Sequence, residues 1–207
     1  MMILPSRLRR GLAAATFTLA LAGCALAPPE LEISPEGAQR FADRRAAVEA
    51  LHDWQLTGRA AFAGPEESGS AALHWRQEDK RYRVLLRAPL GSGSMRLEGD
   101  ERRATLTTSR GEQAEAADAS ALVRELTGYA LPVEVLPYWL RGLPAPGARQ
   151  SAGFDAEGLL RQLRQAGWEV RYQEYDDFLG LRLPVRMELD NGTWRLRIVV
   201  SQWRAPA

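Results

Sequence analysis

The sequence predicts a mainly β fold with added helices, built on a single antiparallel sheet with one apolar face. Three observations carry this. From Trp54 onward apolar and polar residues alternate with period two in segment after segment. The segments are joined by compact turn chemistry, among them Gly64-Pro65, Glu78-Asp79-Lys80, Pro89-Leu90-Gly91, Gly99-Asp100 and Asp190-Asn191-Gly192. Helices are predicted at Glu36–Asp53, in a stretch that Asp118 could cap and Gly128 could end, and at Pro132–Arg141.

Taken in order, the first helix has Phe41, Ala47, Val48 and Leu51 near one face, with Ser34 placed to cap it. In the strands that follow, Ala71, Leu73 and Trp75 alternate with His74 and Arg76. Val84 and Leu86 alternate with Arg83 and Arg87, and Met95 and Leu97 with Arg96 and Glu98. Ala104–Thr108, with Leu106, and a short segment near Gln113 are further strands. Such segments fit antiparallel strands covered on one side only. In the second expected helix Leu122, Val123 and Leu126 face inward, and Leu143–Gly147 is a loop. Leu159, Leu160 and Leu163 fit helical spacing, but the run between Gly158 and Ala166-Gly167 is only eight residues long, which favours a strand. Trp168 and Val170 open another strand. Met187 and Leu189 on one side, and Leu196 and Ile198 on the other, flank Asn191-Gly192 as a hairpin. The inward set is therefore Leu73, Trp75, Val84, Leu86, Met95, Leu97, Leu106, Trp168, Val170, Met187, Leu189, Leu196 and Ile198. The six tryptophans leave two readings open: an ordinary aromatic core, or a curved sheet whose large rings line a roomy pocket.

The N-terminus reads as an export signal. Arg7, Arg9 and Arg10 precede an apolar run of about a dozen residues, short of the roughly 20 that a spanning helix needs. Leu21-Ala22-Gly23 then leads into Cys24, the single cysteine of the chain, which has no partner for an intrachain disulfide. Small residues before a solitary Cys resemble the lipobox of bacterial lipoproteins. That resemblance implies cleavage after residue 23, a lipidated Cys24, and, with Ala25 rather than Asp next, sorting to the outer membrane. Residues 24–35, with Pro28, Pro29 and Pro35, read as an extended tether, and residues 36–207 as one periplasmic domain.

Without residues 1–23 the chain carries 24 basic residues, three fewer than the full 27, against 26 acidic ones. So even a balance gives no footprint for nucleic acid. Chemistry-bearing motifs are missing too. There is no Gly-x-Ser-x-Gly and no His-Glu-x-x-His, and the sole lysine, Lys80, is not in a phosphate-binding loop. One cysteine rules out a cysteine-based zinc site. Asp176-Asp177 reads as a solvated turn, and His74 as an exposed strand residue. The expectation is no catalytic residue, no metal, no cofactor and no enzyme.

Four runs carry a family resemblance: Trp54-Gln55-Leu56-Thr57-Gly58-Arg59; Trp75-Arg76-Gln77 followed by Arg81-Tyr82-Arg83; Pro89-Leu90-Gly91; and Trp139-Leu140-Arg141-Gly142-Leu143-Pro144. With the closing hairpin around Met187–Trp203 and the lipobox, their order and spacing resemble the LolB family of lipoprotein receptors across essentially the whole mature chain. Residues 64–67, 147–158 and 176–184 depart from the pattern. The resemblance implies an incomplete antiparallel β-barrel around a hydrophobic cavity, with short helices as a lid and the inward set as its lining. It implies acylated lipoprotein cargo received from a LolA-like periplasmic carrier, and delivery into outer-membrane lipids by a lipid-anchored monomer facing the periplasm. It also implies a projecting loop, Pro89, Leu90 and Gly91, whose exposed Leu90 is needed for insertion. A lipid- or glycolipid-binding lipoprotein, or an assembly scaffold, remains the alternative. The loop distinguishes the receptor from a passive binder, and an open cavity distinguishes it from a scaffold.

Overall fold

The computed structural model describes residues 34–147 and 150–205. The expected signal peptide over 1–23, and Cys24 itself, lie outside the described residues. Helix α1 is Pro35–Glu49. Strands β1 (Asp53–Ala63), β2 (Ser68–Glu78), β3 (Arg81–Arg87), β4 (Ser94–Gly99), β5 (Ala104–Thr108) and β6 (Gln113–Ala116) follow as a run of hairpins. Helices α2 (Ala119–Thr127) and α3 (Leu136–Leu140) come next. The chain closes with β7 (Gln150–Phe154), β8 (Leu160–Gln165), β9 (Trp168–Phe178), β10 (Leu181–Asp190) and β11 (Arg195–Arg204). Among the described residues these strands form one antiparallel sheet in the order β6-β5-β4-β3-β2-β1-β11-β10-β9-β8-β7. Each half is a meander, and the halves join where β1 pairs with β11. The edges β6 and β7 do not pair, so the barrel is incomplete.

The helices start where their side chains can cap them. Ser34 Oγ accepts from the Gly37 amide at 3.3 Å, and Pro35 occupies the first turn, where its missing N–H costs nothing. Asp118 Oδ1 accepts from the Ala121 amide at 2.9 Å, and Gly128 ends α2 in the left-handed conformation. On the outer sheet face, Arg83–Glu98, Arg186–Glu174 and Arg197–Glu188 pair across strands. Exposed pairs like these contribute little to stability and keep the outer face solvated.

Five regions differ from the sequence expectation. Helix α1 stops at Glu49, and α3 is shorter than Pro132–Arg141. Residues 150–154 form the edge strand β7, whose Gln-Ser-Ala-Gly run shows no apolar alternation. Asp176 and Asp177 lie in β9 and not in a loop: β9 and β10 continue to a two-residue turn, Leu179-Gly180, with Phe178 opposite Leu181. There the polar residues sit on a strand that solvent reaches. The last hairpin has a four-residue turn, because Asn191 Oδ1 accepts from the Thr193 and Trp194 amides and draws Trp194 out of the strand. The ambiguous segment 160–165 is strand β8, as its length suggests.

The β1–β11 seam contains a bulge at Thr57/Gly58. A Cβ on Gly58 would fall onto the Val199 carbonyl oxygen of the paired strand. Gly58→Ala is therefore expected to destabilise the domain by about 1–3 kcal/mol through overpacking, read as a lower urea midpoint. An unchanged midpoint would show that the seam tolerates the extra atom.

Candidate functional site: an open apolar cavity and its rim

The strand inner faces are apolar and the sheet is rolled. Six strand steps separate β4 from β9, roughly 29 Å if the sheet were flat. Yet Leu97 on β4 and Trp168 on β9 line the same cavity of about 730 Å³. That volume falls within the roughly 300–1,000 Å³ of ligand pockets. Its walls include Trp75, Val84, Leu86, Met95 and Leu97 from β2–β4, with Trp168 and Leu196 from the other half. Val123, Leu126, Val133 and Leu136 form the helical side. Leu86, Met95, Leu196 and Phe62 are only half-buried, and Leu126 is exposed, so apolar surface faces open space.

The expected inward set thus divides in two. Trp75, Val84, Leu86, Met95, Leu97, Trp168 and Leu196 line the cavity. Leu73, Leu106, Val170, Met187, Leu189 and Ile198 share the inner face but are buried in the packed core. On β8–β10 this is the work of α3. Trp139, wholly buried, donates from Nε1 to Gln165 Oε1 at 2.9 Å, and its carbonyl accepts from the Tyr172 hydroxyl at 3.0 Å. Next to it Arg141 is buried with its guanidinium on the Leu51 carbonyl (2.8 Å) and the Val48 carbonyl (3.3 Å), closing the C-terminal end of α1. Burial lowers its pKa, and the helix carbonyls offset the lost solvation. One half of the barrel is consequently solid and the other hollow.

The mouth of the hollow half is rimmed by turns from one pole of the sheet. They are the β3–β4 turn (Ala88, Pro89, Ser92, Gly93), the β5–β6 turn (Ser109, Arg110, Glu112) and the β10–β11 turn (Trp194). Aromatic rings frame it: Phe62 and Trp194 lie 4.7 and 4.6 Å from Tyr129 between ring centroids. Burial, and then the Glu67 carboxylate, push the Tyr129 hydroxyl up to about 12. The sequence reading missed Phe62, Tyr129 and Trp194 as rim residues. Tyr129 follows a helix and Trp194 sits in a turn, and neither place has a periodicity to reveal it.

Pro89–Gly91 makes one 3₁₀ turn at this rim. Ser92 closes it, its amide and hydroxyl both donating to the Pro89 carbonyl at 3.2 and 2.9 Å. Leu90 at the tip is fully exposed (106 %) and takes φ 56, ψ 22. A left-handed leucine costs about 1–2 kcal/mol, so both the residue type and its conformation run against local preference. Gly91 (φ 72) completes the turn. Among the described residues no cluster of His, Cys, Asp and Glu could hold a metal.

A sheet hollow on one side, with a strained apolar tip at its mouth, is an arrangement for holding and releasing greasy ligands. The family model described as outer membrane lipoprotein LolB matches residues 52–203. The chain belongs to the LolB family. The outer-membrane lipoprotein LolB of Alkalilimnicola ehrlichii is 41 % identical, over 95 % of this chain and 98 % of that one. That of Pseudomonas aeruginosa is 34 % identical over 96 % and 97 %. In fold the chain is similar to a LolA superfamily protein from Nitrosomonas europaea, with a TM-score of 0.54, 11 % identity and coverage of 82 % and 94 % of the two chains. This chain thus shares its fold with a solved member of the LolA superfamily.

Proposed function

We propose that this chain is an outer-membrane lipoprotein that receives lipoproteins from a soluble LolA-like carrier and inserts them into the outer membrane. The observation that carries the reading is the open apolar cavity with Leu90 at its rim, in a chain of the LolB family. Its role is that of a receptor and not of an enzyme. The acyl chains of a lipoprotein represent on the order of tens of kcal/mol of hydrophobic free energy, so bare cargo cannot cross an aqueous compartment. A cavity relay needs no nucleotide at its last step. The receiver must hold cargo more tightly than the carrier does and less tightly than the bilayer does. The domain acts as a monomer, one cavity taking one cargo.

Within this reading Leu86, Met95, Leu97 and Val84 contact acyl chains, and Arg83 and Arg96 on the outer face do not. A photo-crosslinker at Leu86 or Met95 is expected to capture acylated cargo after incubation with loaded carrier. The same group at Arg83 or Arg96 should capture little. Equal capture from both faces would overturn the cavity assignment.

Cys24 is the proposed lipidation site and mature N-terminus, supported by Leu21-Ala22-Gly23 before a solitary Cys. Intact-mass analysis of the membrane form is expected to show a chain starting at Cys24 and carrying acyl groups. A different start, or no acyl mass, would refute it.

A further inference from the structure

Three large apolar side chains are exposed among the described residues: Leu90, Leu126 and Leu179. Leu90 and Leu126 belong to the cavity and its rim. Leu179, 74 % exposed, has no place in either. It sits at the β9–β10 hairpin tip with φ 54, followed by Gly180 at φ 77. Positive φ at both central residues suits the favoured two-residue hairpin turn, but that turn selects Asn, Asp or Gly first, and a leucine there is strained. Leu90-Gly91 shows the same combination: an exposed leucine at a turn tip, at positive φ, before a glycine at positive φ. Phe178 and Leu181, both half-buried, flank Leu179 and broaden its apolar base.

Register places the two tips at opposite poles. The mouth pole holds Ala63, which pairs with both Ser68 and Arg195, and the Arg87–Ser94 pair below Leu90. The far pole holds the Glu78–Arg81, Gly99–Ala104 and Phe178–Leu181 pairs. Helix α1 lies across this far pole. Its Arg44 donates to the Gly158 and Arg182 carbonyls at 3.3 and 2.6 Å, three residues past Leu179, and the Ser34 amide donates to the Phe154 carbonyl at 2.8 Å. The point where the chain leaves toward Cys24 is thus some ten helical residues from Arg44, about 15 Å along the helix.

We infer that the Leu179 tip is a second membrane contact, which seats the resting domain on the bilayer that holds its own lipid anchor. This rests on the assignment of Cys24 as the lipidated residue. Ser34 lies ten residue steps after Cys24, a span of at most roughly 36 Å when fully extended. The eleven-residue strands are themselves roughly 36 Å long. The anchor therefore holds the far pole near the membrane and leaves the mouth pole, with Leu90, facing the periplasm. That orientation suits acceptance of cargo, and insertion then requires the domain to turn over. Asp176 and Asp177 border the tip, so the contact is apolar in kind and draws nothing from anionic headgroups.

The test uses the full lipidated chain in vesicles of phosphatidylethanolamine and phosphatidylglycerol containing spin-labelled quencher lipid. With Cys24 blocked by its lipid, an Asp176→Cys substitution gives one labelling site, beside the tip, for a polarity-sensitive fluorophore. The expected result is strong quenching without carrier or cargo, insensitive to salt, and much stronger than for the same probe at Arg83→Cys. Adding Leu179→Glu should lower the bilayer-seated fraction relative to the free one by roughly tenfold or more. Quenching equal to that at Arg83, or unchanged by Leu179→Glu, overturns the proposal. A probe response only on addition of carrier assigns the tip to a protein contact and also overturns it. Flotation and intact mass of the same sample identify a failure of the Cys24 assignment: a chain that does not float with vesicles, or lacks acyl mass, removes the anchor, whereas an anchored chain with an unquenched probe removes only the second contact.

Discussion

Leu90→Glu is expected to leave folding and cargo acceptance near normal and to cut delivery into liposomes at least tenfold. The side chain touches nothing that holds the fold, being fully exposed at the β3–β4 tip, so the change in stability should stay within about 0.5 kcal/mol. In hydrocarbon a leucine gains about 1.5–3 kcal/mol, and every 1.4 kcal/mol is a factor of ten. A carboxylate at the same place forfeits that gain and adds a desolvation cost. Leu90 is too weak to anchor the protein, but it is strong enough to bias the cavity mouth toward the bilayer at release. The assay has two stages, carrier to receptor and receptor to liposome, and only the second should fail. Leu90→Gly separates wedge from strain. It relaxes the left-handed backbone and should leave stability unchanged or slightly higher, yet it too should insert slowly. Normal insertion by Leu90→Glu, or loss of the fold, would show that the tip is not a wedge.

Trp139→Ala is expected to lower stability by about 3–5 kcal/mol, more than Gly58→Ala or Leu90→Glu. Its ring is wholly buried between α3 and the β8–β9 inner face, and its indole N–H donates to Gln165, whose side chain also bonds both the amide and the carbonyl of Ala145 at 2.8 Å. The alanine would leave a void and detach the loop after α3 from β8. For a domain of this size each kcal/mol moves Tm by roughly 2–4 °C, so the midpoint of thermal unfolding should fall by about 6–20 °C. Trp139→Phe keeps most of the packing and loses the hydrogen bond, and should fall between alanine and the native residue. A loss under about 1 kcal/mol for alanine would mean that α3 does not brace the solid half of the barrel.

Much of this is legible in the chain. Period-two alternation marks the strands from β1 to β5 and at β9, β10 and β11, because a half-buried strand must alternate, whereas β8 is marked by the length of its run. Asp118 and Gly128 bound α2 because helix ends need those groups. Leu90 stands out since a turn tip between Pro and Gly seldom carries leucine. Other features leave no local signature. Edge strand β7 carries a polar, glycine-containing run that only pairing with β8 makes a strand. Asp176 and Asp177 look like a turn until the Phe178–Leu181 pairing shows the chain still extended. Leu179 is hidden inside that apparent loop, since only the pairing reveals that it is a hairpin tip.

By itself the sequence determined the apolar face of the alternating strands, which follows from geometry that every half-buried strand must obey, and its resemblance to a family marked the tip leucine. What only the tertiary structure decided is which inward residues meet a partner and which meet a void. Leu86 and Val170 are indistinguishable by alternation, yet one is half-buried on the cavity wall and the other is buried in the core. The difference is where the helices land: α3, pinned through Trp139, Gln165 and Tyr172, fills the β8–β10 half, while α2 and the chain after it cover the β2–β4 half without filling it. Periodicity records which side of a sheet is apolar. Whether that side is packed depends on contacts between residues far apart in the chain, and those exist only once the sheet has rolled.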